Sequence, residues 1–126
     1  MESLDKALLS LKFVRERKAL EPVLFDVGGL TSFADYFLIV AGGSTRQVQA
    51  ITRHLVRSMR ESGWHAHGVE GEQEGQWVLV DYGDVVVHVF YEPVRVFYDL
   101  ESLWIEAPRV DTGEEAEGSN GDETGT

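Results

Sequence analysis

Cysteine is absent from the 126 residues, which excludes disulfides and any thiolate metal site and is compatible with a reducing compartment. Proline is scarce, at three, and leaves room for regular structure between Pro22 and Pro93. No run approaches the roughly 18–20 apolar residues that span a bilayer. The opening Met1-Glu2-Ser3-Leu4-Asp5 lacks the basic-then-apolar pattern of a signal peptide, so a cytoplasmic location is expected. Positive charge is also short: 11 Lys/Arg stand against 22 Asp/Glu, a formal net charge of −11. Residues 1–105 hold 10 basic and 15 acidic side chains and residues 106–126 hold 1 and 7, so the body is acidic as well as the tail. An acidic body argues against DNA binding or wrapping a nucleic-acid backbone and suits a basic protein partner.

What is present is organised around Gln76–Tyr91. Two valine-rich runs flank Asp81-Tyr82-Gly83-Asp84, predicting a β-hairpin with strands near 76–81 and 84–91. Val85, Val86 and Val87 are consecutive, so the second strand is expected to be covered on both faces and to lie centrally in a sheet. Strand alternation sends Trp77, Leu79 and Asp81 to one face and Val78 and Val80 to the other, with Asp84 at the turn. An aromatic ring and two carboxylates are thus expected together.

Leu4, Ala7, Leu8, Leu11 and Val14 are spaced for an amphipathic helix over 3–20, with Ser3 available as N-cap. Pro22 ends it and opens a strand at 23–27, and a second strand is predicted over 35–41. Gly42-Gly43-Ser44-Thr45-Arg46-Gln47 reads as a capped turn into a helix with Val48, Ile51, Leu55 and Met59 on one side and Gly63 as its stop. This turn lacks the spacing and lysine of a phosphate-binding loop. Residues 64–69 predict a strand with His65 and His67 on one face. Without a third ligand they read as an exposed polar edge, whereas His88 reads as buried and hydrogen-bonded. After Pro93, the residues Val96, Phe97, Leu100, Leu103 and Trp104 fit one face of a closing helix that docks on the sheet. From Glu106 onward there is little to bury, so 106–126 is expected to be a disordered acidic tail behind one domain of residues 1–105. The fold class is α/β: a mixed sheet of about five strands with flanking helices.

Several stretches together resemble the ribosomal silencing factor (Iojap-like, RsfS) family. They are Leu24–Val27, Thr31–Phe37, Gly43–Val48, Gly68–Gly71, Trp77–Val89 and Phe97–Trp104, in family order across about residues 3–105. The resemblance implies a nucleotidyltransferase-like fold without catalysis. It implies binding to the fourteenth protein of the large ribosomal subunit at the face that meets the small subunit, so that subunit joining is blocked and translation repressed. Trp77, Asp81, Tyr82 and Asp84 are the expected contact residues, with Trp77 as anchor and the aspartates meeting partner Arg or Lys. Ser44 and Arg46 are lesser candidates, and a homodimer is expected as a form of the free protein. No catalytic residue, metal or cofactor is assigned. The competing reading, a nucleotidyltransferase, needs paired carboxylates for a divalent metal. Between Ser44 and Glu61 there is none, and Asp81 and Asp84 stand three apart across a turn.

Overall fold

The computed structural model describes residues 2–112. In chain order the elements are α1 (Glu2–Glu16), β1 (Leu20–Asp26), β2 (Tyr36–Gly42), α2 (Thr45–Glu61), β3 (Gly68–Glu70), β4 (Trp77–Asp81), β5 (Val85–Tyr91), α3 (Glu92–Tyr98) and α4 (Leu100–Leu103). One five-stranded sheet has the order β1-β2-β5-β4-β3. Only β2 and β5 run parallel; the other neighbours are antiparallel, so the sheet is mixed as expected. The valine run of β5 is central and buried over Val85–Phe90. The hairpin turns at Gly83, whose φ of 88° is left-handed and whose N–H donates to Asp81 Oδ1 at 2.7 Å.

Strand alternation divides the core. Leu24, Leu38, Val40, Val78, Val80, Tyr82, Val85, Val87 and Val89 face α1 and α2, which bury Ala7, Leu11, Val14, Val48, Ile51, Leu55 and Met59 against them. Phe25, Phe37, Ile39, Val86 and Phe90 form the second face, covered by Val94 and Leu100 from the short C-terminal helices and by Trp104 just after them. Two helices of 15 and 17 residues cover the first face, whereas helices of 7 and 4 cover the second.

Four local expectations change. Ser3 lies inside α1 and does not cap it; its hydroxyl donates to Asp35 and Asp84 instead. Leu8 is exposed, and Lys6 and Ser10 take places on the buried stripe. The strand expected at 64–69 shrinks to Gly68–Glu70, with His65 and His67 exposed ahead of it. The closing helix is broken: Asp99, at φ 48° and ψ 50°, ends α3 and starts α4 in a left-handed conformation. That kink rotates the apolar positions off a common face.

Order also continues past Glu106. Ala107 is buried, Phe25 bridges Arg109, and Val110 N–H donates to Leu24 O at 2.8 Å while Asp26 N–H donates to Pro108 O at 2.8 Å. The segment shields the open edge of β1. The remainder of the expected acidic tail, 113–126, lies outside the described residues.

Candidate functional site

Among the described residues, most of the large exposed apolar side chains lie on the thin second face. Val96, Phe97, Tyr98, Leu103, Ile105 and Phe33 are 56–80% exposed. Such a concentration on one side of a small domain differs from the ordinary scatter of exposed apolar residues and makes this side the candidate contact surface. The cause is local. α3 has only seven residues, yet four of its last five are apolar: Val94, Val96, Phe97 and Tyr98. A helix that short can turn one of them inward, and Val94 is the one packed on the sheet.

Beneath the exposed side chains runs a chain of rings. Phe97 meets Tyr98 at 5.0 Å between centroids, Tyr98 meets Trp77 at 5.1 Å, and Trp77 lies 4.9 Å from Phe90. His88 continues the chain to Phe37 at 5.6 Å, and Phe37 meets Trp104 at 5.0 Å and Phe33 at 6.3 Å. Trp77 is half-buried, one edge in the core and the other toward Tyr98. Its Nε1–H donates to His88 Nδ1 at 3.1 Å. Burial depresses the His88 pKa to about 4, so at neutral pH the imidazole is uncharged, with its proton on Nε2 and Nδ1 free to accept. The buried histidine expected in the valine strand thus fixes the orientation of the tryptophan.

Arg95 locks this layer down. Its buried guanidinium donates to Leu20 O (3.3 Å), Glu21 O (2.9 Å) and both carboxylate oxygens of Glu101 (3.1 and 3.0 Å). The bidentate pair joins α3 to α4 across the Asp99 kink, and the carbonyl contacts tie both to β1. With Arg95 neutralised, the segment 92–106 shows solvent the carboxylates of Glu92, Asp99 and Glu106, a negative rim around an apolar centre.

The residues singled out in the sequence do not form one patch. Trp77 belongs to the surface just described. Asp81 shares its face but sits at the far end of β4, roughly 13 Å away by strand rise, with one oxygen held by Gly83. Tyr82 is 2% exposed and points into the α1–α2 core, so it adds no contact area; desolvation raises its pKa well above the phenol range. Asp84 turns back toward α1, where Lys6 Nζ lies 2.6 Å from Oδ1 and Ser3 Oγ 2.6 Å from Oδ2. Burial pushes its pKa up, but the hydrogen bonds from Lys6 and Ser3 and the Lys6 charge outweigh that and leave it below the usual carboxylate range. Ser44 caps α2, accepting from Gln47 N–H at 3.0 Å, and Arg46 is exposed beside it on the α1–α2 side of the sheet. Among the described residues no three His, Asp or Glu side chains are placed to hold a metal ion. Sequence reasoning missed Tyr98, Phe33 and Ile105 and the clamp role of Arg95. The available signal was the excess of apolar residues over what α3 can bury.

Comparison with known proteins places this architecture. The family model described as "Ribosomal silencing factor during starvation" matches residues 1–125. Proteins named ribosomal silencing factor RsfS are similar: that of Halalkalibacterium halodurans is 40% identical over 88% of this chain and 95% of its own, and that of Bacillus subtilis is 46% identical over 76% and 81%. A mouse protein named for mitochondrial assembly of the ribosomal large subunit is 29% identical over 75% of this chain and 42% of its own. A crystal structure from Chromobacterium violaceum superposes with a TM-score of 0.80 at 38% identity, covering 82% of this chain and 87% of that one. Another, from Bacillus halodurans, gives 0.72 at 41% identity, covering 81% and 92%. These relatives are named for silencing or assembly and not for a reaction. The chain belongs to the RsfS family of ribosomal silencing factors.

Proposed function

We propose that the protein docks through the α3–α4 face onto the large ribosomal subunit, at its fourteenth protein, and represses translation by denying the small subunit its place. The observation that carries the reading is the exposed apolar run Val96, Phe97, Tyr98, Leu103 and Ile105 over the oriented Trp77, rimmed by carboxylates. Trp77 and Tyr98 are the anchors, since large aromatic side chains dominate interface energy once desolvated. Glu92, Asp99 and Glu106 replace Asp84 as the groups that meet a basic partner. Asp81 stays at the margin. The choice of that partner rests on the family resemblance.

Steric exclusion needs a rigid domain and no reactive group, and it works without catalysis. Arg95 and the Trp77–His88 bond supply that rigidity, so little conformational freedom is lost on docking. When free, the protein pairs two copies through the same apolar face, in competition with the ribosome.

The test is co-sedimentation of the purified chain with isolated large subunits. Phe97→Asp places a charge on a side chain 80% exposed, so the fold is untouched while docking weakens at least tenfold. Trp77→Ala, a hot-spot truncation of about 2 kcal/mol or more, weakens it about thirtyfold. Undiminished co-sedimentation of both variants would remove this face from the contact.

A further inference from the structure

A second surface lies across the sheet from the docking face. In α2, Arg46, Arg53, Arg57 and Arg60 recur at intervals of seven, four and three, within about 60° of one another at ~100° per residue. They make one ridge on the solvent side of a helix whose other side is buried. Over 14 residues the ridge runs about 21 Å. Beside it opens a cavity of about 530 Å³ lined by Arg17, Arg53, His54, Arg57 and Arg60, with Val56, Val69 and, among the described residues, the carboxylate of Glu72 in its wall.

The arginines of this ridge are idle. Lys6 is paired with Asp84 and Arg95 with Glu101, whereas Arg17, Arg46, Arg53, Arg57 and Arg60 make no ion pair among the described residues. In a chain with twice as many acids as bases, that is not for want of carboxylates. Like charges three and four apart on a helix destabilise it, so the arrangement has a cost that an incoming anion would relieve. His54 adds a polar group: Nε2 lies 2.8 Å from Glu16 Oε1, and Nδ1 is buried with no hydrogen-bond partner. The acidic net charge that argued against nucleic acid averages two faces of opposite character.

We propose that the α2 arginine ridge binds the phosphodiester backbone of an RNA strand without regard to sequence. Among the described residues the cavity is lined mainly by guanidiniums, with the His54 imidazole as its one ring, and the ridge is longer than a mononucleotide needs. Guanidinium groups repeated along a line match a line of phosphates, and contacts of this kind position a protein without reading bases. The sheet separates the ridge from the α3–α4 face, so a protein and an RNA strand can be held together. That combination goes beyond docking on a ribosomal protein and does not depend on it.

The experiment is fluorescence anisotropy of a labelled 12-nucleotide single-stranded RNA titrated with the full chain between 25 and 200 mM salt, conditions chosen by the ~10 Å screening length of exposed charges near 0.1 M. Four arginines predict a slope of log affinity against log salt of about −3. The triple variant Arg53→Ala, Arg57→Ala, Arg60→Ala, all exposed positions, should bind at least tenfold more weakly at low salt, with a slope near −1 and an unchanged circular dichroism spectrum. Phe97→Asp should bind RNA as the parent does, which separates this surface from the docking face. Absence of RNA binding at 25 mM salt, or equal binding by the triple variant, would overturn the assignment. So would complete displacement of the RNA by ATP at equal phosphate concentration, which would make the cavity a nucleotide site.

Discussion

Reversing the charge at Asp84 should damage the fold rather than a contact surface. Its carboxylate receives Lys6 Nζ at 2.6 Å and Ser3 Oγ at 2.6 Å, and the two charged side chains are only 10% (Lys6) and 32% (Asp84) exposed. Lys6 also donates to Tyr82 O at 3.1 Å, so the pair ties the start of α1 to the hairpin turn. Breaking a buried pair from one side costs about 3–5 kcal/mol; with a third of Asp84 wet, about 2–3 kcal/mol is expected for Asp84→Lys. A domain of this size loses about 4–8 °C of melting temperature per kcal/mol, hence about 10 °C or more. Asp84→Asn, which keeps the shape and an acceptor, should cost about 1–2 kcal/mol. The folded pKa is depressed, so this stabilisation is complete above the unfolded value near 4 and is lost as pH falls through the folded one. The gap between parent and Asp84→Asn should therefore close in acid. Urea unfolding with comparison of slopes is the assay. Parent-like midpoints for both variants, combined with lost binding to large subunits, would refute the reasoning and return Asp84 to the interface.

Other outcomes follow from the same geometry. Between about pH 6.5 and 4 an unfolded His88 takes up a proton that the folded one refuses, so stability should fall with acidity by about 3 kcal/mol across that window; His88→Gln should flatten the slope in urea titrations. Gly71→Ala should destabilise by at least about 2 kcal/mol in thermal melts, because φ is 86° and a Cβ would stand 2.2 Å from Trp77 O. Arg95→Met should free α3 and α4 while leaving the α1–α2 core intact, seen as faster hydrogen exchange confined to 92–104 and weaker binding to large subunits.

The parts of this structure that were legible in sequence are those where local chemistry agrees with tertiary context. The hairpin of β4 and β5, the central place of the valine strand and a hydroxyl cap at Ser44 or Thr45, which the structure gives to Ser44, each rest on residues whose propensity and context point the same way. Where the two disagree, the pattern misled. The 96–104 stretch has helical spacing, but spacing is silent on the left-handed Asp99 that breaks it, so Leu100 and Trp104 pack on the sheet as read while Val96, Phe97 and Leu103 became exposed surface. Tyr82 sits in a turn sequence that looks solvated, yet its ring completes the packing under α2. Asp84 looked free because its partner, Lys6, is 78 residues away. Net charge hid the arginine ridge, since composition carries no information about which face a charge occupies.

Whether the α3–α4 face excludes the small subunit is tested most directly by light scattering of purified ribosomal subunits mixed in magnesium. Saturating protein should suppress the rise in scattering that accompanies joining, and Phe97→Asp or Trp77→Ala at the same concentration should restore it. Full joining in the presence of saturating parent protein would contradict the account.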